Sequence, residues 1–371
     1  MPDTVPLQAE TPAALAARVP GLELAEARKI VSAVHRAPLE VGLGCLAGPV
    51  DQVRRTSLEA IRAIGALPRL EVLAVQRSAV DPFVKYSMKG DGDLPFETVR
   101  IPLERPGRFS VCVSSQVGCA LACAFCATGR MGLARNLAAW EIVEQVRVVR
   151  QDLLRERPDA RVHGVVFQGM GEPLANLDRV LEVIEVLREP SALAVDARAV
   201  TVCTSGLPSG IRRLADRAPN VRLGLSIGSA RPEARRRLMP IEGTHPLDEV
   251  IEACVYHART TRNAPMWAYT LLAGENDGED DARALAVRVH AFAAAAGMRP
   301  RLTLIPYNPA TAMPDGRPDP FARASDAAED AFRDALAAAG VHTHKRYSGG
   351  GDVGAACGQL ATGTARRATR A

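Results

Sequence analysis

Residues 111–130 read VCVSSQVGCALACAFCATGR. A short apolar alternation runs into three cysteines, Cys119, Cys123 and Cys126, spaced C-x3-C-x2-C, and they account for three of the eight in the chain. The sequence opens with acids and prolines rather than a secretory signal, and no apolar run reaches membrane-spanning length. A cytoplasmic chain with no membrane association is therefore expected. Thiols stay reduced there, so clustered cysteines point to metal binding or catalysis before a disulfide scaffold.

Outward from this stretch the chain alternates between two patterns. Strands are expected at 110–115, 162–170, 199–205, 221–228, 266–273, 301–308 and 341–348. Amphipathic helices are expected at 138–155, 177–188, 246–260, 279–296 and 324–339; in the first, Ile142, Val146, Val149 and Leu153 share one face. Apolar strands separated by helices mean βα units on a parallel sheet buried on both faces. About six repeats predict an α/β fold, a partial (β/α)6 barrel of the TIM type. In such barrels chemistry sits where strands end. GCALACAFC, GMGEP, CTSG, SIGSA, PYNP and GGGDVGAACGQ all fall at those ends.

Before the barrel, residues 1–80 read as a small helical accessory domain punctuated by Pro20, Pro38, Pro49 and Pro68. Residues 81–109 read as a strand extension, 110–348 as the barrel, and 349–371 as a C-terminal loop with a basic tail. At 371 residues, one large domain plus a small one is expected. The composition, 47% hydrophobic and 24% charged, is that of a folded globular protein. The net charge of +4 is carried almost entirely by arginine, with only Lys29, Lys85, Lys89 and Lys345 as lysines. Such a balance permits an RNA partner without demonstrating one.

The three cysteines leave two metals open. Zinc takes four ligands, usually paired C-x2-C motifs or added histidines, and here the next histidine is His163. An iron–sulfur cluster held by three cysteines would keep one iron open for a small molecule.

C-x3-C-x2-C with Phe125 before its last cysteine resembles the signature of the radical S-adenosylmethionine (SAM) superfamily. That resemblance implies a 4Fe-4S cluster held by Cys119, Cys123 and Cys126, with SAM on the open iron, in a partial TIM barrel. A narrower resemblance runs from about residue 80 to the end. The stretches VCVSSQVGCALACAFCATGRMGLARNL, VVFQGMGEPLANLDRV, VTVCTSG, RLMPIEGTHPLDEVI, LIPYNP and DVGAACGQL are similar to the RlmN/Cfr family of RNA methyltransferases. The family implies methylation of carbon 2 or carbon 8 of an adenine in 23S ribosomal or transfer RNA, with electrons from an external donor such as flavodoxin or ferredoxin.

The same resemblance assigns roles. Cys357 is the methyl carrier, Cys112 closes a transient disulfide with it, and Glu97 removes the ring proton. Gly171, Glu172, Ser226 and Asn308 match SAM-contacting positions. Cys203 stands where the family shows serine, and Ser226-Ile227-Gly228 stands where it shows Ser-Leu-His. Gly354 replaces an acid, and these departures bear on the substrate more than on the chemistry. RNA contacts are expected from the helical domain, Arg130, Arg135 and the Arg366, Arg367, Arg370 tail. Two rivals remain: a radical SAM enzyme acting on a peptide or small molecule, and a zinc-stabilised RNA-binding module. The first would have no use for Cys112 and Cys357 together.

Overall fold

A computed structural model describes residues 4–361 except 311–313 and 315. The first part of the chain is helical. After a short strand β1 (Val5–Pro6) come α1 (Pro12–Arg18), α2 (Leu24–Arg36) and α3 (Arg55–Ile64), and β2 (Gly65–Ala66) pairs back with β1. Thr11 accepts a hydrogen bond from the Ala14 amide and so caps α1. Ala27, Ile30, Val31 and Val34 form the buried stripe of α2, and their core is continuous with that of the sheet.

The helical part ends before the residue-80 boundary expected from periodicity. Strand β3 (Glu71–Arg77) already belongs to the main sheet as its edge. All its residues are exposed, so the inside–outside alternation that marks a half-buried strand is missing there. Strands β4 (Val84–Lys89), β5 (Phe96–Pro102) and β6 (Arg108–Val113) continue the sheet in antiparallel register.

Beyond β6 the sheet becomes parallel. A small hairpin of β7 (Gln116–Cys119) and β8 (Gly132–Asn136) intervenes, and α4 (Ala139–Glu156) follows. Then β9 (Arg161–Phe167), α5 (Leu177–Arg188), β10 (Val200–Thr204), α6 (Pro208–Arg217) and β11 (Arg222–Ser226) alternate. Helices α7 (Pro232–Leu238) and α8 (Leu247–Thr261), β12 (Met266–Leu271), α9 (Glu279–Ala296), β13 (Arg301–Pro306), α10 (Asp326–Ala338) and β14 (Thr343–Lys345) complete the described elements.

Neighbouring strands run β14-β13-β12-β11-β10-β9-β6-β5-β4-β3, so the sheet is open, with β14 and β3 as its edges. Strands β6 and β9 to β14 are all parallel. This is the expected (β/α)6 repeat followed by one short closing strand. Val202, Leu225, Trp267 and Leu304, on successive strands, are at most 1% exposed. Each such side chain contributes roughly 1.5–3 kcal/mol of burial free energy. The parallel strands are buried beneath helices, and their carboxyl ends project the loops that carry polar residues.

Candidate active site

The cysteine loop is the turn of the β7–β8 hairpin, so both its ends are fixed by antiparallel pairing. Gly118 has φ +76°, and a Cβ there would lie 1.8 Å from the Gly132 carbonyl oxygen. Only glycine lets the two backbones meet just before Cys119. Inside the loop, a Cβ on Gly129 would fall 2.9 Å from the backbone N and O of Cys123. The Cys126 amide donates to the Cys123 carbonyl at 3.1 Å, and the Ala124 amide reaches the Leu238 carbonyl at the end of α7 at 2.9 Å.

Cys119 and Cys123 are buried and Cys126 is half-buried. Burial pushes the Cys119 thiol up to about 12 and raises Cys123 and Cys126 as well, with Cys126 and Cys119 adding to the rise at Cys123. Such thiols ionise readily only against a strong local positive charge, which a metal centre supplies. No group of three or more His, Cys, Asp or Glu side chains among the described residues is gathered around a point that would hold one metal ion. The three thiols border one cavity instead. A cluster with one thiolate per iron asks for three such thiols around one cavity.

This cavity has a volume of about 130 Å³ and lies at the carboxyl ends of the parallel strands. Gly171 and Glu172 after β9, Cys203 on β10 and Ser226 on β11 share its wall with the three cysteines and Cys357. Glu172 is 3% exposed, and burial raises its carboxyl pKa. One carboxylate oxygen accepts from the Leu174 amide at 3.0 Å and the other from the Ser205 amide at 2.9 Å. Beneath it, Arg235 is fully buried and paired with Glu242. Its remaining N–H groups donate to the Ile227 and Ser205 carbonyls, both at 2.9 Å. Arg235, two residues before RLMPIEG, and Glu242 within it thus form a buried ion pair that ties together the ends of β10 and β11.

Cys357 also borders a second, smaller cavity of about 60 Å³, whose wall includes Cys112, Gln168 and Arg346. Burial pushes the Cys112 thiol up to about 12, and the nearby Cys357 raises it further. Burial raises Cys357 too, but the Arg346 guanidinium opposes the rise. Gln168 joins the two: its Nε2 donates to Cys357 Sγ at 3.4 Å while its Oε1 accepts from Arg346 at 3.0 Å. Asn308 donates to Ser348 Oγ at 2.8 Å and to the Cys357 carbonyl at 3.4 Å, so it anchors the terminal loop. That loop is also held by Asp81, which accepts from the Gly350 amide at 2.8 Å.

Other expected site residues stand outside both cavity walls. Ile227 is buried under the sheet end. Gly228 has φ +69°, and a Cβ there would strike Met239 Sδ at 2.3 Å. A side chain at 228 would therefore point to Met239. Glu97 on β5 is 4% exposed and bridges to Lys85 Nζ at 3.1 Å. Its second oxygen has no hydrogen-bond partner, and burial raises its pKa against the pull of Lys85. Arg135, expected near RNA, makes a two-pronged pair at 2.7 Å with the fully buried Glu141. The Arg366, Arg367 and Arg370 tail lies outside the described residues.

The Radical SAM superfamily model matches residues 113–286. A probable RNA methyltransferase of Sorangium cellulosum is 59% identical over 92% of this chain and 88% of its own. A dual-specificity RNA methyltransferase RlmN of Syntrophobacter fumaroxidans is 43% identical over 71% of this chain and 72% of its own. The crystal structure of a radical SAM methyltransferase from Sphaerobacter thermophilus superposes with a TM-score of 0.82 at 32% identity, covering 95% of this chain and 98% of that one. The chain belongs to the radical SAM methyltransferases of the RlmN type.

For an RlmN-type chain, membership implies a 4Fe-4S cluster and SAM, and the donor set around the main cavity fits both. Among the described residues no helix is long and apolar enough to cross a membrane. Sequence reading missed Gln168, Arg346, Lys85 and the Arg235–Glu242 pair. Gln168 lies beside the GMGEP turn and Arg346 in the last expected strand. A polar residue at a strand end was the available signal for both.

Proposed function

We propose that this RlmN-type enzyme, whose relatives are named RNA methyltransferases, methylates an adenine ring carbon, C2 or C8, of ribosomal or transfer RNA. The observation that carries this reading is the position of Cys357, which borders the cavity of the three cysteines and the cavity of Cys112 at once. A methyl carrier has to meet SAM on one side and a second thiol on the other.

Cys119, Cys123 and Cys126 would hold the cluster, and Gly171, Glu172 and Ser226 would line the SAM site. When bound, the reduced cluster and SAM supply the 5′-deoxyadenosyl radical that takes one hydrogen atom from a methyl group on Cys357. An external donor of the flavodoxin or ferredoxin kind provides the electron. Before that, the Cys357 thiolate attacks the methyl carbon of a first SAM, and the Gln168–Arg346 pair orients and polarises it. Adenine ring carbons between two nitrogens are electron-poor, which is why a polar methyl transfer alone fails. Once Cys357 is joined to the ring through the methylene, Glu97 takes the ring proton and the unpaired electron left on the ring passes back to the one-electron couple that supplied it. The Cys112 thiolate then attacks Cys357 sulfur. An S–S bond forms, the S–CH2 bond breaks, and the carbon takes up a proton to become the methyl group. The two thiols are oxidised as the methylene is reduced, and a cellular dithiol resets them.

The test is a denaturing gel of protein incubated with RNA and SAM, with and without ribonuclease. Cys112→Ala should stall as a covalent protein–RNA adduct, and Cys357→Ala should form none. Normal turnover by Cys112→Ala, or an adduct surviving in Cys357→Ala, would falsify the carrier mechanism. Methyladenosine analysis of ribosomal and transfer RNA from a deletion strain identifies the pool.

A further inference from the structure

A third cavity, about 370 Å³, is remote from the cysteines. It opens where the end of α2 and the turn after it meet the carboxyl half of α4, so accessory helices form one wall and a barrel helix the other. The α4 helix starts directly after the β7–β8 hairpin, so this junction lies toward its far end. An 18-residue helix of this kind spans ~27 Å.

The wall is strongly basic. Arg36, Arg147, Arg150 and Arg155 face it, with Glu40 as the only acid among the lining residues. Two of the arginines are already neutralised. Arg147 pairs with Glu144 at 2.6 Å and donates to the Val34 carbonyl, and Arg155 pairs with Glu40 at 2.9 Å. No carboxylate answers Arg36 or Arg150 among the described residues. Arg150 is half-buried, and the charges of Arg147 and Arg36 act on it. His35 lines the same cavity at 6% exposure, with neither ring nitrogen hydrogen-bonded. The Gln8 carbonyl is the one backbone group close enough to favour its protonation.

Two unpaired guanidinium groups and an unsatisfied buried imidazole around one cavity have the donor chemistry that an anion needs. The planar fork of arginine matches phosphate oxygens, and a neutral imidazole can add one N–H donor. We infer that this junction binds a phosphate group, donated either by the backbone of an RNA or by a free phosphorylated small molecule. Binding would tie α2 to α4 and so set the accessory helices against the barrel. Burial and the neighbouring arginines hold His35 down at about 3, so it remains neutral across the physiological range.

The test uses the full chain and two probes. Inorganic phosphate and pyrophosphate are titrated against chloride at matched ionic strength, with thermal unfolding as the readout. RNA binding is measured as a function of salt. Wild type is compared with Arg150→Met, with Arg36→Gln at an exposed position that leaves the fold intact, and with Arg179→Gln as a control of equal charge loss elsewhere. A saturable stabilisation by phosphate that weakens about tenfold or more in the first two variants and not in the control is expected; that factor corresponds to losing one charge-assisted hydrogen bond. A salt slope for RNA that drops by about one in the same variants identifies an RNA phosphate as the ligand; an unchanged slope identifies a free anion. If neither measurement separates the variants from the control, the junction is not an anion site.

Discussion

The backbone amide of Ala127, next to Cys126, donates to the carbonyl of Gly358, next to Cys357, at 2.8 Å. At the very next residue, Thr128 Oγ1 donates to the Leu360 carbonyl at 2.5 Å. The cysteine loop and the terminal loop are therefore latched together side by side, and the distance from the three thiols to Cys357 is fixed by two hydrogen bonds rather than by side-chain packing alone.

Thr128→Val should weaken that latch. The substitution keeps the shape but leaves a buried carbonyl without its donor, a loss of ~1–3 kcal/mol. Faster proteolysis of the terminal loop and slower methylation of Cys357 are expected, with iron content unchanged. A variant as protease-resistant and as active as wild type would show that the bond does not position the carrier.

Arg346→Met should slow the carrier thiol. Arg346 is the cation that opposes burial at Cys357 and Cys112. Removing it raises both thiol pKa values, and each unit lowers the thiolate fraction about tenfold at neutral pH. Alkylation of Cys357 by iodoacetamide should fall, with its pH profile shifted upward, and Arg346→Lys should restore most of the rate. Equal rates in all three proteins would remove Arg346 from this role.

Alanine at Cys119, Cys123 or Cys126 should abolish the cluster rather than reduce it. Each thiolate would hold a different iron, and the remaining pair leaves two irons without a protein ligand. Iron and sulfide assays with the visible absorbance of anaerobically reconstituted protein check this. One zinc per chain and no iron in wild type would point to the zinc-stabilised alternative.

Acid should destabilise the fold through a residue far from the site. His257 on α8 is fully buried with neither ring nitrogen hydrogen-bonded, and burial pushes its pKa down to about 4. The unfolded chain takes up a proton below pH ~6.5 and the folded chain does not. The stabilising neutral form is thus fully effective above that pH, and up to roughly 3 kcal/mol is lost as pH falls toward 4. Urea unfolding of wild type and His257→Leu at pH 7.5 and 5 should show a smaller pH difference in the variant.

Much of this was legible in the sequence, for a physical reason. Parallel strands buried on both faces carry long apolar runs, and their carboxyl ends must turn polar, so VVFQGMGEP and VTVCTSG betray both strand and site. Edge strand β3 and helix α6 were not legible. The first buries no face, and the second is short, with only Ile211, Leu214 and Ala215 on its apolar stripe. Motif position alone could not separate residues that face the cavity, such as Ser226, from those that face away, such as Gly228. A positive φ turns the backbone after β11, and no spacing rule encodes that turn. Arg346 was illegible because its partner, Gln168, lies 178 positions away.

The terminal loop is held by contacts of very long sequence separation. Asp81 grips Gly350 across 269 positions, and Asp352 accepts from the Ala79 amide across 273. Closing so long a span has to overcome chain entropy before either bond can form. The barrel, built from neighbouring βα units, can assemble without them. An order of maturation is therefore expected: a folded sheet with its cysteine loop open to solvent and to iron first, and the loop bearing Cys357 sealing the mouth afterwards. Pulsed thiol labelling during refolding should find Cys254, in the core of α8, protected before Cys357.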